Sequence, residues 1–357
     1  MDITFFIGGI SGGGAERVCC NCANYLAKQN HDVTILTMSE TMNAYGVHPE
    51  VRLVSLLKES ERSNKIKDNS LRYVRLKRYV SDHSLDTYVV MLPITISLLL
   101  HFRKLIRGKI IASERNDPLS GSRLSKKLMK HYAKYADAWV FQTSDAAKWY
   151  DGMVEKAEII PNAINPDFIR PVYVGKREKS IVAAGRLSEQ KNFKLLLDAF
   201  AVVTRQYPEY TLRIFGKGPL EDELKAYAQT LGVAEKTEFM GYVSNMPEQL
   251  EKASMFVLSS NYEGMPNALM EAMAMGLPCI STDCPAGGSA FLIKDGENGL
   301  LVPVADKDSM IAAMQRILRD DSFAVSLGDN ARKVIDRLSP ENIYSQWERF
   351  IMDVVRS

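Results

Sequence analysis

Two glutamates lie on either side of a Gly-Met-Pro-Asn turn in the stretch SSNYEGMPNALMEAMAMGLPCIST, residues 259–282. Glu263 precedes the turn, and Glu271 lies in the helical pattern that follows it. A helix that begins near Pro266 presents backbone amides and the positive end of its dipole, which together favour a phosphate. Carboxylates on both sides suit a ligand whose phosphates lie between hydroxyl-rich groups, because each carboxylate accepts hydrogen bonds from sugar hydroxyls. A nucleotide sugar has this layout. In an isolated pair of this kind, however, the second glutamate is more often a first-turn acid that interacts favourably with the helix dipole, and the first is an exposed loop residue.

Two further loops favour the nucleotide-sugar interpretation over that of two ordinary acids. AAGRLSEQKNF places Arg186 and Lys191 five residues apart after a predicted strand, where both side chains can reach one diphosphate. FGKGPLEDEL adds a second turn with Gly216 and Gly218, and neither turn has the spacing of a Walker loop. The sequence therefore predicts an anion site made from the ends of several strands.

The glycine loop GGISGGGAERV follows the first predicted strand. As a dinucleotide fingerprint it fails, because Arg17 occupies the position of the third glycine. Glu40, after the second strand, is the one feature that favours nicotinamide, and we interpret it as a solvated loop acid. The five histidines form no metal-ligand pair and the expected strand ends carry no Asp-x-Asp loop, so no metal and no cofactor are predicted.

The elements that position these loops alternate between strands and helices along most of the chain. ITFFIGGI, a helix over about 15–28 and DVTILTM form the first β-loop-α-β unit. The stretch PNAINPDFIRPVYVGKREKS interrupts the pattern and is the predicted linker, after which the alternation resumes at Ser180. We expect two Rossmann-like, doubly wound α/β domains at 1–165 and 176–340, facing a central cleft, with a terminal helix at about 341–357 that packs back on the first domain.

Composition is that of a globular protein: 46% of the 357 residues are hydrophobic and 25% are charged. The five cysteines fit reduced, buried thiols better than disulfides. The N-terminus reads as a buried strand and not as a signal peptide, which indicates a cytoplasmic protein. The apolar run over 88–102 is short and contains Pro93, so it predicts a strand and a core helix instead of a membrane span.

Charge differs between the two halves of the chain. Residues 1–170 carry 24 Lys and Arg against 18 Asp and Glu, a net +6, and the remaining residues carry 21 against 25, a net −4. The densest basic block runs from Lys58 to Arg78, with eight cations and three acids. It fits a solvated helix face or an anionic membrane or phosphate surface, and no motif for nucleic acid accompanies it.

Taken together, GRLSEQKN, FGKGP, GYVSNMPEQL, EGMPNALME and DGENGLLV closely resemble the motifs of the retaining GT-B glycosyltransferases of family 4, in order and spacing. The resemblance spans nearly the whole chain and is strongest over 181–302. It implies that Arg186 and Lys191 bind the donor diphosphate, that Glu263 binds the donor-sugar hydroxyls and that Glu271 binds the ribose. It implies further contacts to sugar, phosphates and base from the following residues: Gly13, Gly14, Gly216, Gly218, Val243, Ser244, Gly264, Met265, Pro266, Asn267, Ala268 and Leu269.

The third unusual loop, IIASERNDPLSG, differs from many relatives, which place a histidine near the reacting sugar. Arg115, preceded by Glu114, is the nearest match; it would steady a leaving diphosphate or an anionic acceptor, or form a salt bridge that fixes the loop. Ser-Glu-x-Asn variants of this loop are familiar among transferases of bacterial exopolysaccharides and lipid-linked oligosaccharides.

The resemblance implies transfer of a hexose or N-acetylhexosamine, with retention, from a nucleotide-diphosphate sugar, on family frequency a UDP-sugar. The acceptor would be a saccharide or a polyprenyl-diphosphate-linked saccharide, with the N-terminal domain near the inner face of the membrane. Three alternatives remain: a nucleotide-sugar epimerase, a nicotinamide oxidoreductase and a catalytically inactive nucleotide-sugar-binding subunit.

Overall fold

A computed structural model describes residues 1–42 and 45–357, which form two compact units. Unit 1 comprises Met1–Ala163 and Glu341–Ser357, and unit 2 comprises Ile164–Pro340. The C-terminal segment thus belongs to the same unit as the N-terminus. Each unit is an α/β domain built on one parallel sheet.

In the described part of unit 1 the sheet has seven strands, in the spatial order β3-β2-β1-β4-β5-β6-β7. These are β1 (Asp2–Ile7), β2 (Asp32–Thr37), β3 (Arg52–Ser55), β4 (Thr87–Met91), β5 (Lys109–Ser113), β6 (Ala138–Phe141) and β7 (Ala157–Ile159). The helices of this unit are α1 (Gly14–Lys28), α2 (Lys65–Asp82), α3 (Pro93–His101), α4 (Arg123–Tyr132), α5 (Ser144–Lys148) and the terminal helix named below as α14. Strand β4 and helix α3 confirm the interpretation of the apolar run over 88–102.

The described sheet of unit 2 has six strands, in the order β10-β9-β8-β11-β12-β13. These are β8 (Ser180–Ala184), β9 (Thr211–Phe215), β10 (Thr237–Gly241), β11 (Met255–Leu258), β12 (Cys279–Thr282) and β13 (Leu300–Val302). The helices that follow are α6 (Phe193–Gln206), α7 (Glu221–Thr230), α8 (Met246–Lys252), α9 (Asn267–Ala274), α10 (Gly288–Leu292), α11 (Lys307–Arg319), α12 (Asp321–Arg332), α13 (Val334–Leu338) and, back in unit 1, α14 (Pro340–Arg356).

Buried apolar side chains fill the space between sheet and helices in each unit. In unit 2, Ile181, Leu212 and Val257 of the strands pack with Leu196 and Phe200 of α6. Parallel strands covered on both faces read as continuous apolar runs, which is why most strands were visible in the sequence. The five cysteines are free and buried, which confirms the prediction made for them.

Each sheet reverses its strand order at one place, between β1 and β4 in unit 1 and between β8 and β11 in unit 2. The loops beyond the carboxyl ends of strands at such a switch point diverge and leave a crevice, where ligands bind in open α/β sheets. Within residues 1–42 and 45–357, no helix combines the length and the apolar character needed to cross a membrane.

Candidate active site

A buried ion pair lies at the switch point of unit 2. Lys191, in the loop after β8, donates from Nζ to Oε1 of Glu263, in the loop after β11, at 2.5 Å. Glu263 is 6% exposed, so it is not the surface acid that an isolated loop glutamate would be. The hydroxyl of Ser260 donates to the same oxygen at 2.6 Å. Because β8 and β11 are neighbours, the chain brings together residues that are 72 positions apart.

The two loops that carry this pair are joined by several hydrogen bonds. The amide of Asn261 donates to the carbonyl of Gln190 at 2.7 Å, and Nε2 of Gln190 donates to the carbonyl of Tyr262 at 3.0 Å. Asn192 has a φ of 44°, a left-handed conformation that asparagine tolerates, and its side chain caps α6. These bonds hold the lysine and the glutamate in place before any ligand binds.

The turn 264–266 leads into α9, which is the helix that follows β11. The amides of Leu269 and Met270 both donate to the carbonyl of Pro266 at 3.1 Å. The first turn of the helix therefore already satisfies the amide of Leu269, one of the predicted ligand contacts, and that of Met270. Among the predicted amides, those of Gly264, Met265 and Ala268 stay as candidates for a ligand.

Glu271 lies one turn further into α9 and is 9% exposed. It belongs to the second turn of the helix, so it is not the first-turn acid that the dipole interpretation requires.

The turn 264–266 is also packed closely against α10, because a Cβ at Gly288 would come within 1.9 Å of the carbonyl oxygen of Gly264.

Arg186, by contrast, is exposed in the loop after β8. Gly216 and Gly218, in the loop after β9, lie against that loop: a Cβ at Gly216 would meet the carbonyl oxygen of Gly185 at 2.0 Å, and one at Gly218 that of Leu187 at 2.2 Å. Both glycines thus permit a close approach between two loops of the site, a role that is independent of ligand contact.

The loop after β10 carries Val243, which is half-buried, and Ser244, which is exposed. The residue before them, Tyr242, was not predicted from the sequence as a site residue, and its side chain is 81% exposed. An exposed aromatic face beside this loop can stack on a nucleobase. Its signal in the sequence was only an aromatic residue directly after a predicted strand.

In unit 1 the glycine loop lies at the switch point after β1. Gly13 caps α1 and Gly14 is the first residue of that helix. The carboxylate of Glu16 accepts hydrogen bonds from the amides of Gly12 and Gly13 at 2.8 and 3.2 Å. The anion position at this helix end is therefore filled by the chain itself, and a phosphate that used these amides would displace Glu16.

Arg115 fixes its loop, as one of its interpretations expected, but it does so without a salt bridge to any described residue. Its side chain is 7% exposed and directed into unit 1, where its guanidinium donates to Asn162 and lies 5.8 Å from the ring centre of Trp347 in α14. In the described residues no carboxylate pairs with it, so the salt-bridge interpretation is wrong. The contacts are those of a residue that fixes the loop after β5 to the terminal helix.

Glu114, its neighbour, is buried and accepts a hydrogen bond from the hydroxyl of Tyr150 at 2.8 Å. Burial raises the pKa of the Glu114 carboxyl to about 7, although the hydrogen bonds from Tyr150 and from two backbone amides oppose this rise. Glu114, Trp149 and Lys126 line a pocket of about 110 Å³ beyond the ends of β4 and β5. Leu92, also in its wall, has a φ of 76°, and strained residues of this type cluster at functional sites.

Over residues 1–42 and 45–357, no group of three or more His, Cys, Asp or Glu side chains is arranged to hold a metal ion. At the switch point of unit 2 the charged groups in contact are Lys191 and Glu263, and α9 begins four residues after Glu263.

Two family models match adjoining stretches of the chain, which together span residues 12–334. Residues 12–168 match Glycosyltransferase Family 4, and residues 167–334 match Glycosyl transferases group 1. The chain belongs to the family 4 glycosyltransferases. This glycosyltransferase is therefore an enzyme of the class that the motifs indicated, and its two parallel-sheet domains are those of the GT-B fold.

Its curated relatives include an uncharacterized glycosyltransferase of Haemophilus influenzae, 28% identical over 97% of this chain and 98% of the relative. A second is the GalNAc-α-(1→4)-GalNAc-α-(1→3)-diNAcBac-PP-undecaprenol α-1,4-N-acetyl-D-galactosaminyltransferase of Campylobacter jejuni, 27% identical over 99% of both chains.

Solved structures with the same fold include sucrose-phosphate synthase from Thermosynechococcus elongatus, with a TM-score of 0.85, 20% identity and coverage of 99% of this chain and 98% of that one. HepE of Anabaena in complex with UDP and glucose gives a TM-score of 0.83 at 16% identity, over 99% of this chain and all of HepE. At these identities the likeness shows the fold alone.

Several supporting residues of the glycosyltransferase site were missed from the sequence. Ser260 donates to Glu263, and Thr282, the last residue of β12, donates to the carbonyl of Ser260 at 2.6 Å. Gly288 lies in the stretch CPAGGS, whose paired glycines were the available signal. Ser260 and Thr282 carried no signal, because a serine and a threonine at strand ends are common.

Proposed function

We propose that this glycosyltransferase moves a hexose or N-acetylhexosamine from a UDP-sugar to a saccharide or lipid-linked saccharide acceptor, with retention at the anomeric carbon. The observation that carries the proposal is the Lys191–Glu263 ion pair at the switch point of unit 2. Its position is where an open α/β sheet binds ligands, and its two charges match the two ends of a sugar diphosphate.

The division of labour follows from the charges. Lys191, with the exposed Arg186, neutralises the diphosphate, and Glu263 accepts hydrogen bonds from donor-sugar hydroxyls. Glu271 binds the ribose, and the base lies near Val243 and Ser244, where Tyr242 stacks on it. On donor binding, Lys191 exchanges part of its interaction with Glu263 for the phosphates, and until then the ion pair holds both side chains in place.

In the transfer step the bond between C1 of the sugar and the β-phosphate oxygen breaks, and a bond between C1 and the acceptor oxygen forms on the same face. The proton of the acceptor hydroxyl passes to the leaving phosphate oxygen, and UDP departs. Glu263 acts by hydrogen bonds and not as a nucleophile, since Glu271 is assigned to the ribose and cannot supply the second carboxylate of a retaining hydrolase.

The acceptor proposal rests on the relatives, whose names include undecaprenol-linked saccharides, and on the pocket of unit 1. The pocket is lined by an aromatic residue, a carboxyl group and a lysine: Trp149, Glu114 and Lys126. An apolar ring face with a few polar groups around it suits the binding of one sugar unit at the end of a saccharide.

A donor screen tests the proposal. The protein is heated with each of several UDP-, GDP- and dTDP-sugars, and a donor at 100 times its Kd adds roughly 2.7 kcal/mol to the free energy of unfolding. The donor that stabilises is then incubated with a saccharide acceptor, and the anomeric configuration of the glycoside formed, which unlike a free sugar does not mutarotate, is read by NMR. A glycoside of retained configuration, formed together with UDP, supports the proposal; inversion contradicts retention, and conversion of the donor to an epimer supports the epimerase alternative.

A further inference from the structure

The surface around α4 has a composition unlike the rest of unit 1. Residues 118–136 contain five cations and no acid: Arg123, Lys126, Lys127, Lys130 and Lys134. Among the described residues, none of these five forms a salt bridge. This surface, residues 119–135, is called the α4 surface below.

Apolar side chains are exposed beside these cations on the α4 surface. Leu124 is 67% exposed and Leu128, one turn later, is 37% exposed, whereas Met129 is the buried residue of the helix. Leu119, in the loop before the helix, is also exposed. Residues four apart lie on one face of a helix, so the two leucines form a stripe with the exposed Lys127 beside it.

The basic block that the sequence singled out is differently arranged. In α2 and the loop before it, Arg75 pairs with Glu61 at 2.6 Å, Arg62 with Glu59 at 3.2 Å and Arg78 with Asp82 at 3.3 Å. Arg72 donates to the backbone of Met38 and to the side chains of Ser39 and Asn69. Four of the eight cations of this block are thus bonded to groups within unit 1. On the α4 surface Lys126 donates to the carbonyl of Leu119, and Lys130 and Lys134 lie over the rings of Trp149 and Tyr135, but among the described residues no acid pairs with any of the five cations.

We infer that the α4 surface docks this enzyme on an anionic lipid bilayer, with Leu124 and Leu128 at the acyl boundary and the cations among the headgroups. Exposed leucines in a helix rimmed by lysine and arginine are typical of interfacial helices. The unpaired positive charge is complementary to an anionic leaflet, and attraction to such a surface accumulates with each cation. A second copy of the chain is a poorer occupant, because two surfaces of five cations each would repel.

The inference goes beyond the proposed function, because it concerns binding to lipid and requires no turnover. It is tested by flotation of the full chain with vesicles of phosphatidylcholine alone or mixed with phosphatidylglycerol, at low and high salt. We expect binding to the anionic vesicles only, with loss at high salt because the charges are screened.

Matched variants locate the surface. Arg123→Glu with Lys127→Glu is expected to lower the partition coefficient at least about tenfold, whereas Lys67→Glu with Lys77→Glu, the same charge change on α2, leaves most of the binding. Leu124→Gln is expected to weaken binding, and Ile66→Gln, at a still more exposed apolar residue of α2, is not.

Circular dichroism of each variant separates a docking defect from misfolding, since all six positions are exposed. Equal losses for the two charge variants would overturn the inference and attribute binding to net charge. Absence of wild-type flotation, equal flotation on neutral vesicles, or oligomers that Leu124→Gln abolishes would overturn it as well.

Discussion

At the scale of single residues, the account rests on a lysine and a glutamate that the fold holds in contact. A buried carboxylate is costly unless it is paired and hydrogen-bonded, and Glu263 has both a cation and a hydroxyl as partners. Such a preformed pair reduces the reorganisation needed when a charged ligand arrives.

Glu263→Gln keeps the size of the side chain and removes its charge. We expect the rate of donor hydrolysis to fall by roughly 10²-fold, because a neutral amide supports the sugar hydroxyls and the charge of Lys191 less well in the transition state. The measurement is UDP release from the donor without acceptor. Glu223→Gln, in the exposed pair with Lys194 on α6 and α7, is the control and should be silent. A rate for Glu263→Gln close to that of the control would remove Glu263 from the site.

Glu114 gives unit 1 a pH dependence with a definite sign. Its folded-state pKa of about 7 lies above the ordinary value of 4.5, so the folded state holds the proton more tightly than the unfolded state. The contribution is fully present below about pH 4.5 and is lost as pH rises to about 7, a change on the order of 3 kcal/mol.

Glu114→Gln should remove this slope. All three tryptophans, at 139, 149 and 347, lie in unit 1, so their fluorescence reports the unfolding of that unit in urea. Between pH 5 and pH 8 we expect the wild type to lose stability relative to Glu114→Gln. Parallel curves for the two proteins would show that Glu114 titrates normally.

At the scale of elements, the apolar runs predicted most strands and the loops between them, because fully buried parallel strands have a strong signal. Two strands were missed: β3, an edge strand of four residues that begins with Arg52, and β13, three residues within the family motif DGENGLLV. Both are defined by pairing with a neighbour and not by their own sequence. The helices α11, α12 and α13 were likewise not assigned, although their amphipathic pattern was present.

The candidate site was predictable to a smaller extent. The motifs indicated which loops converge, because strand order follows from the repeated β-α pattern. They did not indicate that Leu269 and Met270 bond Pro266, or that Arg115 points inward, since both depend on side-chain packing and local turn geometry.

Helix α14 carries the next prediction. Trp347 is fully buried in unit 1, and Trp347→Ala should cost about 3–5 kcal/mol through the cavity and lost contacts. Urea unfolding followed by the fluorescence of the other two tryptophans measures this. Arg356→Ala, exposed in the last turn of the same helix, is the control. Equal stability of the two variants would mean that α14 is not an integral part of unit 1.

Helix α10 supports the turn before α9 by close contact. Gly288→Ala should displace the Gly264 carbonyl and weaken UDP binding about tenfold or more, since the added methyl has no room. Gly232→Ala, where φ is 71° and no atom lies near, adds backbone strain alone and should lower stability without changing the affinity for UDP. If Gly288→Ala binds UDP as well as Gly232→Ala does, the turn is not part of the donor site.

At the scale of the whole molecule, the chain divides the task between two α/β units with opposite charge balance, the positive one carrying the glycine loop, the pocket at Glu114 and the α4 surface. Family membership establishes glycosyl transfer, and the unit 2 site is proposed to hold the donor. The proposed function therefore depends most on one interaction, the binding of a nucleoside diphosphate by Lys191.

Isothermal titration of the full chain with UDP tests that point directly. We expect wild type and Lys194→Ala to bind UDP with the same Kd, because Lys194, in α6, lies in an exposed ion pair. Lys191→Ala should bind at least about tenfold more weakly, because a partly buried charge contact to phosphate is lost. Undiminished UDP affinity in Lys191→Ala, or tighter binding of GDP than of UDP by the wild type, would contradict it.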